Sequence, residues 1–496
     1  MRHLSLLTLS LTGCLGPWPG PSDTPTDTTD TSDTDTTGPT GDTGTTETTH
    51  TGTVQDVVLV TDSITRDTLW TADKVYELAN RATIYVEGNS VLTIEPGTTI
   101  LGNAESSIIV SRDARIEARG RADAPIVFTS VKEPGSRRPG DWGGLVLLGN
   151  ASVNKSLPRQ IEGVVGDEPR AQYGGSDDTS NCGALDYVRV EFAGFEVFDG
   201  NELNGLTLGG CGSSTFLRHI QVHRGLDDGI EIFGGMVDLK YVVITGAGDD
   251  SLDWDEGWRG RVQFLLAQQY PTHPDPTVTK NGDEGIEADG YVTDELPAGT
   301  PDGVYDTNHT PFSTPTLYNL TLLGSGDPTA AQSAMDLKEG TGGALRNLLV
   351  GWQPIRGVDV EHPPTVDMIT SSQLKITNSV FFDIGPTGDV WTDPDTTDDD
   401  GGFDEQAWLD FPAYANRLGD EVLVAPTEVP TAAAPGWLLD PPAQWIPDAG
   451  SAAASGAATP PADEFFDVSA TYVGAIRPGT TQAAAWWAGW TAYPVD

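Results

Sequence analysis

Two stretches of this chain align without a gap, LRHIQVHRGLDDGIEIFGGMVD from Leu217 and LKYVVITGAGDDSLDWDEGWRG from Leu239, an offset of 22 residues. Ile220, Val222, Ile230 and Ile232 fall on Val242, Ile244, Leu252 and Trp254, and Asp227-Asp228 falls on Asp249-Asp250. Each block holds two short runs of alternating apolar residues split by a turn of glycine and acid. Alternation with period two predicts strands that bury one face. Echoes extend upstream (LDYVRVEFAG at Leu185, NGLTLGG at Asn204) and downstream (DEGIEADG at Asp283, SAMDLKEG at Ser333, LRNLLVGW at Leu345, GVDVEH at Gly357). A unit of about twenty residues cannot bury its own inward face, so repeats must stack, about 4.8 Å apart, into a β-solenoid. A β-sandwich would alternate too, but it gives no ungapped duplication.

The string GDWGGLVLLG, IEGV, YGG, YVRVEFAG, NELNGLTLGG, DDGIEIFGG and DDSLDWDEGW resembles the right-handed parallel β-helix of the pectin-lyase-like superfamily. More narrowly, it is similar to a largely uncharacterised family of secreted or lipid-anchored β-helix proteins of Gram-negative bacteria. Some of those carry the label multidrug transporter, which nothing in these residues supports. The resemblance covers about residues 57–390 and a closing WWAGWTAY. It implies an all-β fold, a right-handed parallel β-helix with an irregular C-terminal cap, and says little about activity.

The N-terminus implies export. Arg2 and His3 precede an apolar run, Leu4 to Leu11, that is too short to span a bilayer, and Leu11-Thr12-Gly13-Cys14 then resembles a lipobox. The expectation is a signal peptide over 1–13 and lipidation at Cys14. Leu15, where an aspartate would retain the protein, suggests the outer membrane and a surface-exposed protein. No later segment supplies the roughly 18 apolar residues of a membrane helix, so the lipid is the expected membrane contact. Residues 14–55 are almost devoid of apolar side chains and read as a disordered Thr/Asp-rich tether. The β-helix is expected over 56–390 and a loop-rich cap packing on it over 391–496. In the cap, Trp486, Trp487 and Trp490 are expected to fold back over the last coil. The acid loop DPDTTDDDGGFDE, 393–405, lacks EF-hand spacing. Cys182 and Cys211 lie 29 residues apart at glycine-flanked turns. An oxidising compartment favours a disulfide between neighbouring turns over two free thiols.

With 27 Lys and Arg against 73 Asp and Glu, the net charge is -46. Nucleic acid and anionic lipid are thereby excluded as partners, and the charge favours divalent cations wherever carboxylates converge. Alternation points Glu231, Asp253, Asp255, Glu287 and Asp289 outward, so stacked coils carry a column of carboxylates. The turn before this strand adds Asp227, Asp228, Asp249 and Asp250. Two carboxylates about 5 Å apart repel by roughly 3 kcal/mol at an effective dielectric of 20.

Three readings of the column stand open. One is a solvated acidic face. Another is a calcium site built on Glu231, Asp253, Asp255, Glu287 and Asp289. The third is a polysaccharide lyase or glycoside hydrolase using Asp227, Asp228, Asp249 and Asp250, with Lys338, Arg259 or His223 as a base. Against each base stands a simpler role: ion pairs for Lys338 and Arg259, an exposed strand position for His223. No Gly-His-Gly hydrolase signature is present. Phe233 and Trp258 are candidate stacking platforms for an extracellular glycan, whereas alternation turns Trp254 inward.

Overall fold

The computed structural model describes residues 55–198, 201–271, 282–291, 309–385, 400–418 and 445–494. Cys14, the leader and all but the last residue of the expected tether lie outside these, as does most of 393–405. No described helix is long and apolar enough to cross a membrane.

The alternating runs form strands that stack in parallel. One face of the coil is a nine-stranded sheet. It runs from Thr83–Val86 through Ser107–Val110, Gly144–Leu148, Leu206–Gly209, Ile230–Phe233, Leu252–Asp255, Glu284–Ala288 and Ser333–Leu337 to Asp359–Val360. The other two faces join at strand Gly183–Glu191, whose first half pairs with Arg115–Arg119 and whose second half pairs with Ile126–Ser130. The sequence alignment is the physical register: Ile220 pairs with Val242, Val222 with Ile244, Ile230 with Leu252 and Ile232 with Trp254. All eight are buried in one continuous core inside the coil. Stacking thus completes both the backbone ladder and the apolar interior that one coil cannot close.

The corner between the two joined faces uses a left-handed residue in each coil from strand Gly183–Glu191 onward: Tyr187, His219, Tyr241, Phe264, Asn319, Asn347 and Asn378, with φ between 49° and 64°. A side chain at such an angle costs about 1–2 kcal/mol. The aromatic members offset this by stacking, with centroids 4.1 Å apart for Tyr187 and His219, 4.8 Å for His219 and Tyr241 and 5.1 Å for Tyr241 and Phe264. The asparagines tolerate the angle and use their amides to hold the C-terminal segment. Asn319 donates to the Tyr472 carbonyl at 2.6 Å, Asn347 to Ala458 at 2.8 Å and Asn378 to Gly456 at 3.0 Å.

That segment departs from the expected end cap. Residues 445–494 run as a strap along the flank of the coil, back toward earlier turns. Trp490 meets Tyr187 and His219 edge-on, and Gln221 donates to the Ala492 carbonyl at 2.6 Å. Trp487 and Trp445 pack on the outward Val243, Leu266 and Leu323. The flank needs a cover because its outward residues are themselves apolar. The last coil is closed instead by the helix Glu405–Leu409, whose Trp408 and Leu409 enter the main core, and by the strand Arg417–Leu418.

Cys182 and Cys211 form a disulfide with Cα atoms 5.8 Å apart, both fully buried. It staples adjacent coils beside an insertion that follows strand Gly144–Leu148. Closing a 29-residue loop constrains the unfolded chain by about 3.5 kcal/mol. Cys182→Ala/Cys211→Ala should therefore lower the urea midpoint under oxidising conditions; an unchanged midpoint contradicts this role.

Candidate functional site

The outward side of the nine-stranded face changes character along the coil. Its early coils present Tyr85, Ile109, Val146 and Leu148, and the insertion covers them with Ile161, Ala171 and Tyr173. Its later coils present acids in register: Glu231 opposite Asp253, Asp253 opposite Glu287, Glu287 opposite Asp336 and Asp336 opposite Asp359. Among the described residues the cover ends before the acid half.

The turn preceding these strands supplies a second column with a structural role of its own. The Asp228 N–H donates to Asn204 Oδ1 at 3.2 Å, the Asp250 N–H to Asp228 Oδ1 at 2.9 Å and the Glu284 N–H to Asp250 Oδ1 at 2.6 Å. Each side chain thus fixes the turn of the next coil. One carboxylate oxygen of Asp228 and one of Asp250 accept in this ladder.

The two columns meet in a cleft of about 240 Å³ lined by Glu162, Glu202, Asp227, Asp228, Glu231, Asp249, Asp250, Asp253, Asp283, Glu284 and Glu287. Every one of these lining residues is a carboxylate. Asp253 is only 6% exposed, and its Oδ1 is buried with no hydrogen-bond partner among the described residues. An orphaned buried oxygen of this kind carries a desolvation penalty that a ligand would remove. Glu231 Oε2 accepts from the Asn204 amide at 2.5 Å, and the same amide donates to Glu162 Oε1 at 2.8 Å.

Burial first, and then the neighbouring acids, push the carboxyls of Asp228, Glu231, Asp250 and Asp253 well above the usual carboxylate range. Glu284 is pushed up to about 9, by burial and then by Asp283. These groups favour a proton or a cation over bare ionisation.

Two triads in the cleft bring one oxygen from each member within 4.8 Å of the others: Asp227, Asp228 and Asp249, and Asp228, Glu231 and Asp253. Calcium binds oxygen at about 2.3–2.6 Å, so oxygens on one ion stand up to about 5 Å apart. Either triad can therefore contact a single calcium ion. A third group, Asp336, Asp359 and Glu361, already has Arg356 paired to Asp359.

Several sequence expectations change here. Of the five outward acids, Glu231, Asp253 and Glu287 line the cleft. Asp255 and Asp289 belong to the next outward column, within 4.0 Å of Lys155 and 3.8 Å of Lys338 respectively, and do not line the cleft. Lys338 is bound to Glu287 and flanked by Asp289, so its ammonium stays charged and cannot act as a base. Arg259 pairs with Asp178 at 3.3 Å. His223 is not exposed: the strap covers it, with Nε2 at 3.0 Å from the Pro494 carbonyl and Nδ1 at 2.7 Å from the Thr245 hydroxyl. Burial depresses its imidazole to about 3.

Neither aromatic platform is open. Phe233 does point outward, but Tyr173 of the insertion packs on it, 6.0 Å between centroids. Trp258 is fully buried against Trp254, and its Nε1 donates to the Val237 carbonyl at 3.0 Å. Glu162 and Glu202, which close the cleft, escaped the sequence reading because they lie outside the repeated unit.

A family model described as a pectate-lyase-like β-helix domain matches residues 62–406, over two thirds of the chain. The chain belongs to the pectate-lyase-like β-helix family. As a member of that family the coil is a right-handed parallel β-helix, in keeping with the handedness of parallel crossovers. No curated protein and no solved structure matches this pectate-lyase-like chain.

Proposed function

We propose that this protein is an outer-membrane-anchored, surface-exposed lipoprotein whose β-helix binds calcium in the carboxylate cleft and, so loaded, holds an extracellular glycan. The lipobox around Cys14 supports the anchoring, and the membership of the pectate-lyase-like family supports a glycan ligand. One observation carries the cation: Asp253 turns a buried, unpartnered oxygen into a cleft lined by carboxylates. Hard oxygen donors without nitrogen or sulfur suit calcium better than transition metals. Loading also removes the repulsion that a bare acidic face would exert on an acidic sugar.

A calcium-assisted lyase or hydrolase fits less well. Within each triad one oxygen of each carboxylate lies within 4.8 Å of the others, the spacing of ligands around a single ion. The three basic residues considered are paired or buried. The test is calorimetric titration of calcium into the full chain and into Asp253→Asn. The variant should bind at least about tenfold more weakly, or about 1.4 kcal/mol. Glycan retention should disappear on adding a chelator. Unchanged calcium affinity and stoichiometry in the variant, or no binding in either protein, would overturn the assignment.

A further inference from the structure

The two triads are not independent, because Asp228 belongs to both. The duplication explains how. Each 22-residue unit contributes two turn acids, Asp227-Asp228 or Asp249-Asp250, and a strand acid in register, so consecutive coils bring Asp227 near Asp249 and set Glu231 beside Asp253. Asp228 lies between the two columns. Its Oδ1 accepts the Asp250 N–H at 2.9 Å, which holds the carboxylate in place.

We propose that the cleft is a two-cation centre in which the Asp228 carboxylate bridges a calcium ion on Asp227 and Asp249 and a second on Glu231 and Asp253. This rests on the cation-binding reading above and adds its stoichiometry and geometry. The oxygens of these five residues fall into two sets, each within 4.8 Å and joined at Asp228, the pattern of two ion positions and not one. Asp253 Oδ1, buried without a partner, points independently to a ligand on the strand side. The cleft, at about 240 Å³, holds two ions with several waters. A bridging carboxylate also couples the two sites: whichever ion binds first fixes Asp228 for the other, so binding should be cooperative.

The test is the number of calcium ions retained per chain, measured by equilibrium dialysis and elemental analysis on the full-length protein and three variants. Asp228→Asn keeps a side-chain carbonyl to accept the Asp250 N–H, so the turn ladder survives. Asp227→Asn and Asp253→Asn each remove one carboxylate charge from one triad only. The expected result is two tight ions in the unaltered chain, loss of two in Asp228→Asn and loss of one in each of the others. If Asp228→Asn fails to fold, the other two variants carry the test, because each must lose one ion and keep its neighbour. Loss of one ion only from Asp228→Asn, or a single ion in the unaltered chain, overturns the shared centre and leaves a one-ion site standing. No bound calcium at all overturns the cation reading itself.

Discussion

Stripped of divalent cations, the protein should lose stability as the pH rises, and calcium should restore it most where the loss is greatest. The sign follows from the cleft. Burial and neighbouring acids hold Glu284 up to about 9 in the cleft and Asp336 up to about 8 in the coil beyond it, and raise Asp228, Glu231, Asp250 and Asp253 in the same direction. Unfolded, Asp titrates near 3.8 and Glu near 4.5. The folded state therefore binds protons that the unfolded state has released. Stability from these groups is complete below the unfolded values and drains away as pH climbs through the folded ones.

Calcium replaces the protons and binds best when they have left. At a hundredfold excess over Kd it should contribute about 2.7 kcal/mol per site. Calorimetric unfolding in chelator and in calcium, at about pH 6 and about pH 9, reads this directly. A chelated protein whose Tm is flat or rises between those values contradicts the account. The comparison must stay above strongly acid pH, where the Arg170 pair that holds Glu168 down at about 2 is lost.

The second large effect separates packing from recognition. Trp258→Ala should cost about 3–5 kcal/mol of stability, as expected for an aromatic side chain deleted from a filled core. Trp258 is fully buried beside Trp254, and a Cβ at Gly260 would fall 2.4 Å from its Nε1, so the indole is tightly packed on both sides. Urea unfolding should show the loss, while glycan retention by the protein that remains folded should not change. A stable variant with weakened sugar binding would instead restore Trp258 as a platform.

These two predictions also mark where the sequence was legible. The coil was readable because a stacked repeat writes its register into the chain. Ile230 opposite Leu252 and Glu231 opposite Asp253 follow from an ungapped alignment and period two alone. The turn acids were readable for the same reason, and the Cys182–Cys211 bridge joins the neighbouring turns expected of it.

Alternation, however, says only that a side chain leaves the coil, and nothing about what lies outside. Phe233 points outward as expected and is still buried, because a hairpin inserted 60 residues earlier folds over it. His223 is buried by carbonyls from the chain's last residues, 271 positions away. Trp258 follows a strand in a turn, where alternation no longer applies. Such tertiary covers lie outside the periodic signal, as do Glu162 and Glu202, and only the folded chain brings them to the cleft. The strap was missed as a flank cover because an aromatic tail fits the end of a solenoid as well as its side.

A crystal structure grown in calcium, with anomalous data, decides whether the cleft is a calcium centre. Cation density is expected within about 2.3–2.6 Å of carboxylate oxygens from Asp228, Glu231 and Asp253, with a second peak on Asp227 and Asp249 across the Asp228 carboxylate. Ordered water alone among these residues, with calcium bound elsewhere or not at all, would contradict it.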